Sequence, residues 1–389
     1  MNKTLSVYDK FFLLGVGLIL ISKMAIFKDT NIITIISYSI LLGMIVILFL
    51  DPNKSKNINI SLGVNSVLTI TFVVFCIIFQ IFTKRNYIFQ DYFLSIILTF
   101  ILFFIGYFYS NKSERFIILL LKVYIYSVLL ICINIYIENF VGIGYSSINQ
   151  YILSEKNAVG SMIVFSLIVL SHLFNLEKIN LKRIIYAGIA IFMLYTMMMI
   201  QNRSGLLSLL PAAILIFIRI VKSIKNINFK MINIALILVM ILIIVVIINF
   251  DKISDFLVWS LRLESLSAGG VDSISSGRVT YIKEALACFE RYPLYGYGSL
   301  YVDNLYICII SQFGIIGSLP LISIILGMVI FCIKNYFKVR SELSFTLLLL
   351  CISSMVISLF EGLAPFGPGT SYILLWFLYG YSSNMKINY

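Results

Sequence analysis

Runs of roughly 17–22 apolar residues recur along the whole chain, long enough as α-helices at about 1.5 Å per residue to cross a hydrocarbon core of about 30 Å. Short clusters of charged residues, or of Gly, Pro, Asn and Ser, divide them. Apolar and polar positions do not alternate within the runs, which excludes the strands of a closed β-barrel. The pattern predicts twelve helical spans, at about 11–27, 32–50, 62–82, 91–109, 116–137, 157–175, 183–200, 204–220, 231–250, 305–333, 343–360 and 371–383. The tenth is too long for one straight span. It contains Gly314, Gly317 and Pro320, so a bent or broken helix is expected there.

One long hydrophilic stretch, 251–303, interrupts the pattern. Ile253, Phe256, Leu257, Trp259 and Leu261 give it an apolar face before the polar centre SLSAGGVDSISSG. The following RVTYIKEALACFERY sets Ile282, Ala285, Leu286 and Phe289 at helical spacing, which predicts an amphipathic helix lying at the membrane surface. Pro293 stops that helix, and Gly296 and Gly298 shape the return to the membrane. No internal repeat is visible. The expected fold is an all-α integral membrane protein of about twelve transmembrane helices. It forms a single polytopic domain over 1–389, with the large loop 251–303 inside it.

Composition agrees: the chain of 389 residues is 61% hydrophobic and 12% charged, against about a quarter charged in soluble domains. The formal net charge of +12 is spread singly, mostly through the gaps between apolar runs, which points to orientation in the membrane rather than to nucleic acid. With the N-terminus cytoplasmic, the inner side holds Lys3, Lys10, Lys54, Lys56, Lys112, Arg115, Lys178, Lys182, Arg183, Arg219, Lys222, Lys225, Lys230, Lys334, Lys338, Arg340 and Lys386. The short outer loops hold only Lys28, Lys84, Arg85, Lys156 and Arg203. The positive-inside bias therefore predicts both termini in the cytoplasm and the 251–303 loop outside.

Inventory narrows the chemistry. His172 is the sole histidine and sits near the end of a span, so His-rich metal chemistry is excluded. Six cysteines show no CxxC motif and no obvious disulfide pair. No cleavable signal peptide is apparent. There is no P-loop, GxGxxG, GxSxG or HExxH in a usable context, so no ATP-driven transport is encoded and no cofactor is expected.

What remains is a set of polar residues near the outer face. Arg203, in QNRSG at the outer start of span eight, breaks the charge bias. It either snorkels to head groups or offers bidentate geometry to an anionic ligand. Arg278 opens the loop helix, and Arg291 closes it where a cation complements the helix C-terminus. Asp303 follows the Gly-rich YPLYGYGS turn and precedes span ten, flanked by Asn304 and Tyr306. It can brace an arginine or act as a general base beside a cationic pocket. Lys23, Lys122 and Glu361 lie in or beside spans, with snorkelling as the default for the lysines and Glu361 placed to reach an interface.

The stretch SGRVTYIKEALACFERYPLYGYGSLYVDNLYICIISQFGIIG resembles the signature of bacterial O-antigen ligases and Wzy-type polysaccharide polymerases. In that group an arginine opens an outer-loop helix, a Pro-x-x-Gly-x-Gly turn follows, and a His-Asn or Asp-Asn pair begins a span with a Gly-x-x-Gly kink. The matching elements here are Arg278, the 293–298 turn, Asp303 with Asn304, and Gly314 with Gly317. QNRSG with Arg203 is similar to the group's second arginine motif, and EKNAVGSM, with Asn157 opening span six, to a weaker third. The departure is Asp303, where the ligases typically carry histidine, and it favours a polymerase.

The resemblance implies a metal-independent glycosyltransferase of the type-C membrane fold in the bacterial cytoplasmic membrane. Donor and acceptor would be glycans on undecaprenyl diphosphate, joined into O-antigen or capsular polysaccharide, with a chain-length regulator and a flippase as partners. Arg278 and Arg203 would hold the diphosphate, and Asp303 would orient or deprotonate the acceptor hydroxyl. Tyr281, Asn304, Asn157 and Arg291 would line the sugar site. An O-antigen ligase and a lipid-linked oligosaccharide flippase or transporter are the rival readings. Two unlike halves and polar residues crowded at the outer edge weigh against the transporter.

Overall fold

The computed structural model describes residues 5–24, 27, 32–50, 64–85, 87, 91–111, 113–141, 150–223, 255, 258, 277–367 and 371–384. The expected ninth span, 231–250, and most of the loop before Arg278 lie outside them. The helices are α1 (Val7–Ile21), α2 (Ile32–Leu50), α3 (Val64–Thr83), α4 (Asp91–Phe108), α5 (Glu114–Val141), α6 (Gln150–Leu176), α7 (Asn180–Met199), α8 (Arg203–Ser223), α9 (Arg278–Arg291), α10 (Leu305–Val339), α11 (Glu342–Ile357) and α12 (Ile373–Ser383). No strand occurs among the described residues. Eleven of the twelve expected spans therefore coincide with a helix, α9 being the amphipathic loop helix.

Five stretches among the described residues are long and apolar enough to cross a membrane: Asn65–Thr83, Glu114–Ile137, Lys156–Leu176, Asn180–Met199 and Leu305–Val339. Lipid-facing helices keep their apolar side chains outward, as Ile184, Ile191 and Phe217 do here, because no water drives them inside. Helix contact depends instead on close backbone approach. Gly106 on α4 and Gly380 on α12 leave room for each other's helix, since a Cβ on either would run into the carbonyl of Phe377 or Phe103.

The sequence expectation of a broken tenth span is met at Gly314, which has φ 62° and ψ −170° within α10. A helix broken at membrane depth exposes backbone groups that lipid cannot satisfy. The turn after α9 supplies them. Tyr297 N–H donates to the Ser311 carbonyl at 2.8 Å and Gly298 N–H to the Gln312 carbonyl at 3.0 Å. In return Ile315 N–H donates to the Pro293 carbonyl at 2.8 Å, and Ile316 N–H to the Leu294 carbonyl at 3.0 Å. The turn thus plugs into the break. Only glycine fits at 314, where a Cβ would strike the backbone of Leu294 and Gly296.

From the loop between α3 and α4, Arg85 braces the same turn. Its guanidinium lies 3.9 Å from the Tyr292 ring centroid and 5.0 Å from that of Tyr295, and it donates to the Gly296 carbonyl. Tyr87 Oη donates to the Tyr295 carbonyl at 2.8 Å. Ala285, on the inner face of α9, is fully buried where that helix packs on α10. The result is a loop helix and turn fixed over the start of α10.

Asn157 stands one residue inside the apolar stretch Lys156–Leu176, as the expected span has it, while α6 itself begins earlier, at Gln150. The intervening YILSEK contains neither proline nor glycine, so nothing in it ends a helix.

Candidate active site

The chain order places the start of α8, the start of α10 and the end of α11 at one end of the bundle, and side-chain bonds join them. Arg278, the first residue of α9, follows Gly277 in the left-handed conformation at φ 81°. That turn sends its side chain to Asp303, where Nε donates to Oδ2 at 3.0 Å. Both side chains are about a quarter to a third exposed, at 25% and 31%. Arg278 uses Nε alone, so its two terminal nitrogens face no hydrogen-bond acceptor among the described residues.

A second carboxyl stands beside this pair. Glu361, in the loop between α11 and α12, is only 5% exposed. Tyr301 Oη donates to Glu361 Oε1 at 2.6 Å, and the Asn157 side chain lies in hydrogen-bonding reach of the same carboxyl. The Tyr301 hydroxyl also lies in hydrogen-bonding reach of Asp303. Arg278, Asp303, Tyr301, Glu361 and Asn157 therefore form one connected row. Burial pushes the Glu361 carboxyl above the ordinary carboxylate range, against the bonds from Tyr301 and Asn157, with Asp303 adding to the rise. Burial also raises the Tyr301 hydroxyl, helped by Glu361 and then Asp303.

Capping holds the row in place. Asn304 caps α10, its Oδ1 accepting from Ile307 N–H at 3.1 Å, while its Nδ2 donates to the Leu359 carbonyl at 3.2 Å. Leu305 N–H donates to the Ser358 carbonyl at 2.9 Å. The Asp303 and Glu361 loops are thereby tied together. On the other side Asn202, 2% exposed, donates to the Lys156 carbonyl at 2.7 Å and accepts from Gly205 N–H at 2.5 Å. That bond fixes the start of α8 against α6, one residue from Asn157.

The expected site residues therefore separate. Arg278, Asp303 and Asn157 meet in the row. Arg203 is half-buried as the first residue of α8, beside Asn202 at the same end of the bundle. Asn304 stands next to Asp303, with both ends of its side chain engaged in the caps above. Tyr281 is 57% exposed on α9, and Arg291 is exposed where it closes that helix, with neither in the row. Two members escaped the sequence analysis in this role. Tyr301 carried no signal beyond lying two residues from Asp303. Glu361 did carry one, as a carboxylate at the boundary of an apolar span, where an ionisable group is costly.

Among the described residues, no three His, Cys, Asp or Glu side chains are placed to hold a metal ion together. None of the six cysteines is in a disulfide among the described residues. A cleft of about 470 Å³ exists elsewhere, lined by Leu170, Phe174, Tyr186, Phe345, Arg219 and Glu342 at the opposite end of the bundle.

The fold and the row define a polytopic helical membrane protein with an arginine–carboxyl cluster at one end of its bundle. The model of a family described as O-antigen ligase matches residues 188–322, about a third of the chain. No curated protein matches it. The matched stretch contains Arg203, Arg278, Asp303, Asn304 and Gly314 and stops short of Glu361. Similarity there supports a role in O-antigen or polysaccharide assembly, with lipid-linked glycans as the substrates that family implies.

Proposed function

We propose that this chain is a polysaccharide polymerase that joins undecaprenyl-diphosphate-linked repeat units on the outer face of the bacterial cytoplasmic membrane. The observation that carries the proposal is the Arg278–Asp303 pair, a guanidinium whose terminal nitrogens meet no acceptor among the described residues, held beside a carboxylate. Glycosyl transfer from a diphosphate needs both. The leaving diphosphate gathers charge that a positioned guanidinium stabilises. The acceptor hydroxyl attacks the anomeric carbon, the bond to the diphosphate oxygen breaks with its electron pair, and Asp303 accepts the hydroxyl proton. Arg203 adds a second cation at the same end, and no divalent ion is required in this scheme. The N- and C-termini lie in the cytoplasm, a chain-length regulator and a flippase are the natural partners, Tyr281, Asn157 and Arg291 contribute to the sugar site, and Asn304 holds the start of α10 beside it.

A ligase is the second reading, favoured by the description of the matching family. The polymerase is preferred because Asp303 stands where the ligases typically carry histidine. The one histidine, His172, is buried on α6 with Nδ1 2.9 Å from Thr346 Oγ1, near Glu342. Purified protein given only a lipid-linked repeat unit should build a ladder of longer chains. Transfer solely to an added lipid or protein acceptor would select the ligase instead. Orientation is checked by labelling Ser273→Cys from outside in intact cells. Labelling only after permeabilisation would reverse it.

A further inference from the structure

Tyr301 has one hydroxyl proton and two carboxyl neighbours. It donates to Glu361 at 2.6 Å, so Asp303 has no proton to receive from it in that arrangement. The row is one proton short of satisfying both bonds, and an arriving proton would complete it. Glu361 has no guanidinium bonded to it among the described residues, whereas Asp303 has Arg278 at 3.0 Å. The groups facing Glu361 are Tyr301 and Asp303 from the loop before α10, Arg278 from α9, Asn157 from α6 and Tyr372 at the start of α12.

We propose that Glu361 is the terminal proton acceptor of the site, reached from Asp303 through the Tyr301 hydroxyl. Resting on the glycosyl-transfer reading above, the step runs as follows. The acceptor oxygen bonds the anomeric carbon, and its proton passes to Asp303. Protonated Asp303 then donates to the Tyr301 oxygen as Tyr301 gives its own proton to Glu361 Oε1. Asp303 is left as a carboxylate beside Arg278, and Glu361 becomes neutral. After product leaves, the proton returns by the reverse path through Tyr301 to Asp303, whose side chain is partly exposed, and from there to solvent. Burial that raises the affinity of Glu361 for a proton makes it a better acceptor than a solvated carboxylate. Glu361 and Tyr301 act through Asp303 and do not touch the reacting carbon.

The test is the pH dependence of kcat for wild type, Glu361→Gln and Tyr301→Phe, with a lipid-linked repeat unit as substrate. Glu361 must be ionised to accept, so wild-type kcat should be full above its raised pKa and fall as pH drops through it. Glu361→Gln keeps an acceptor for the Tyr301 hydroxyl but cannot take its proton. It should lose about tenfold or more in kcat, within the range of proton-transfer catalysis, with KM little changed and that acidic limb gone. Tyr301→Phe should lose as much, and the double variant no more than either. A Glu361→Gln enzyme with wild-type kcat overturns the relay. So does one whose rate falls while the acidic limb stays in place, because that is the behaviour of a brace. A wild-type protein with no glycosyl transfer would overturn the proposed function, and the relay with it, whereas the first two results overturn the relay alone.

Discussion

Two arginine–carboxylate pairs sit at opposite ends of the bundle, and they differ in how much of each arginine is used. Arg219 at the end of α8 grips Glu342 at the start of α11 with both terminal nitrogens, one bond measuring 2.9 Å, and its guanidinium lies 4.6 Å from the Phe345 ring centroid. Arg278 meets Asp303 through Nε alone. Exposure does not distinguish them, since all four side chains fall between 25% and 33%. The difference lies in what remains open. A bidentate pair has spent its donors on its partner and holds two helices together. The single-bond pair leaves two donor nitrogens without an acceptor among the described residues and places its carboxylate beside Tyr301 and Glu361. A cleft of about 470 Å³ lies beside the closed pair.

If that contrast is correct, the two arginines respond oppositely to removal. Arg278→Ala should leave single repeat units with no polymer while the protein still inserts, and Arg278→Lys should restore little because a point charge lacks the guanidinium fork. Asp303→Asn comes next. It retains size and a hydrogen bond to Arg278, yet should slow transfer by about 10²–10⁴-fold through loss of the base; only a modest slowing with weakened donor binding would make Asp303 a brace. Gly314→Ala should act through position, since a Cβ there forces the 293–298 turn out of the broken helix. Left-handed backbone strain alone costs roughly 1–3 kcal/mol, so its melting temperature in detergent should fall together with its transfer rate. Arg219→Ala should show the smallest effect, a stability loss of about 1 kcal/mol or less for a partly exposed pair, with chain lengths unchanged. Shortened chains in Arg219→Ala would erase the comparison.

Much of this was legible in the chain itself. The apolar periodicity marks the helices because each must satisfy its own backbone in lipid, and Gly314 marks a break because no other residue tolerates that conformation there. Arg278 and Asp303 are separated by one helix and one turn, so local pattern places them together. The partner of the break was not legible: that Pro293 and Leu294 supply its acceptors depends on how the turn docks. Glu361 was legible as costly but not as a neighbour of Asp303. It reaches the site through the fold of α10 and α11, a distance in sequence that no local spacing encodes. Asn304 shows the converse, since a residue beside the chemistry is taken up by a helix cap and a loop tie.

The most direct measurement compares wild type, Arg278→Ala and Arg219→Ala, each purified and given a lipid-linked repeat unit with chelator present. The account predicts polymer from wild type and from Arg219→Ala, and only unjoined repeat units from Arg278→Ala. Wild-type chain lengths from Arg278→Ala, or loss of all wild-type activity on chelation, would contradict it.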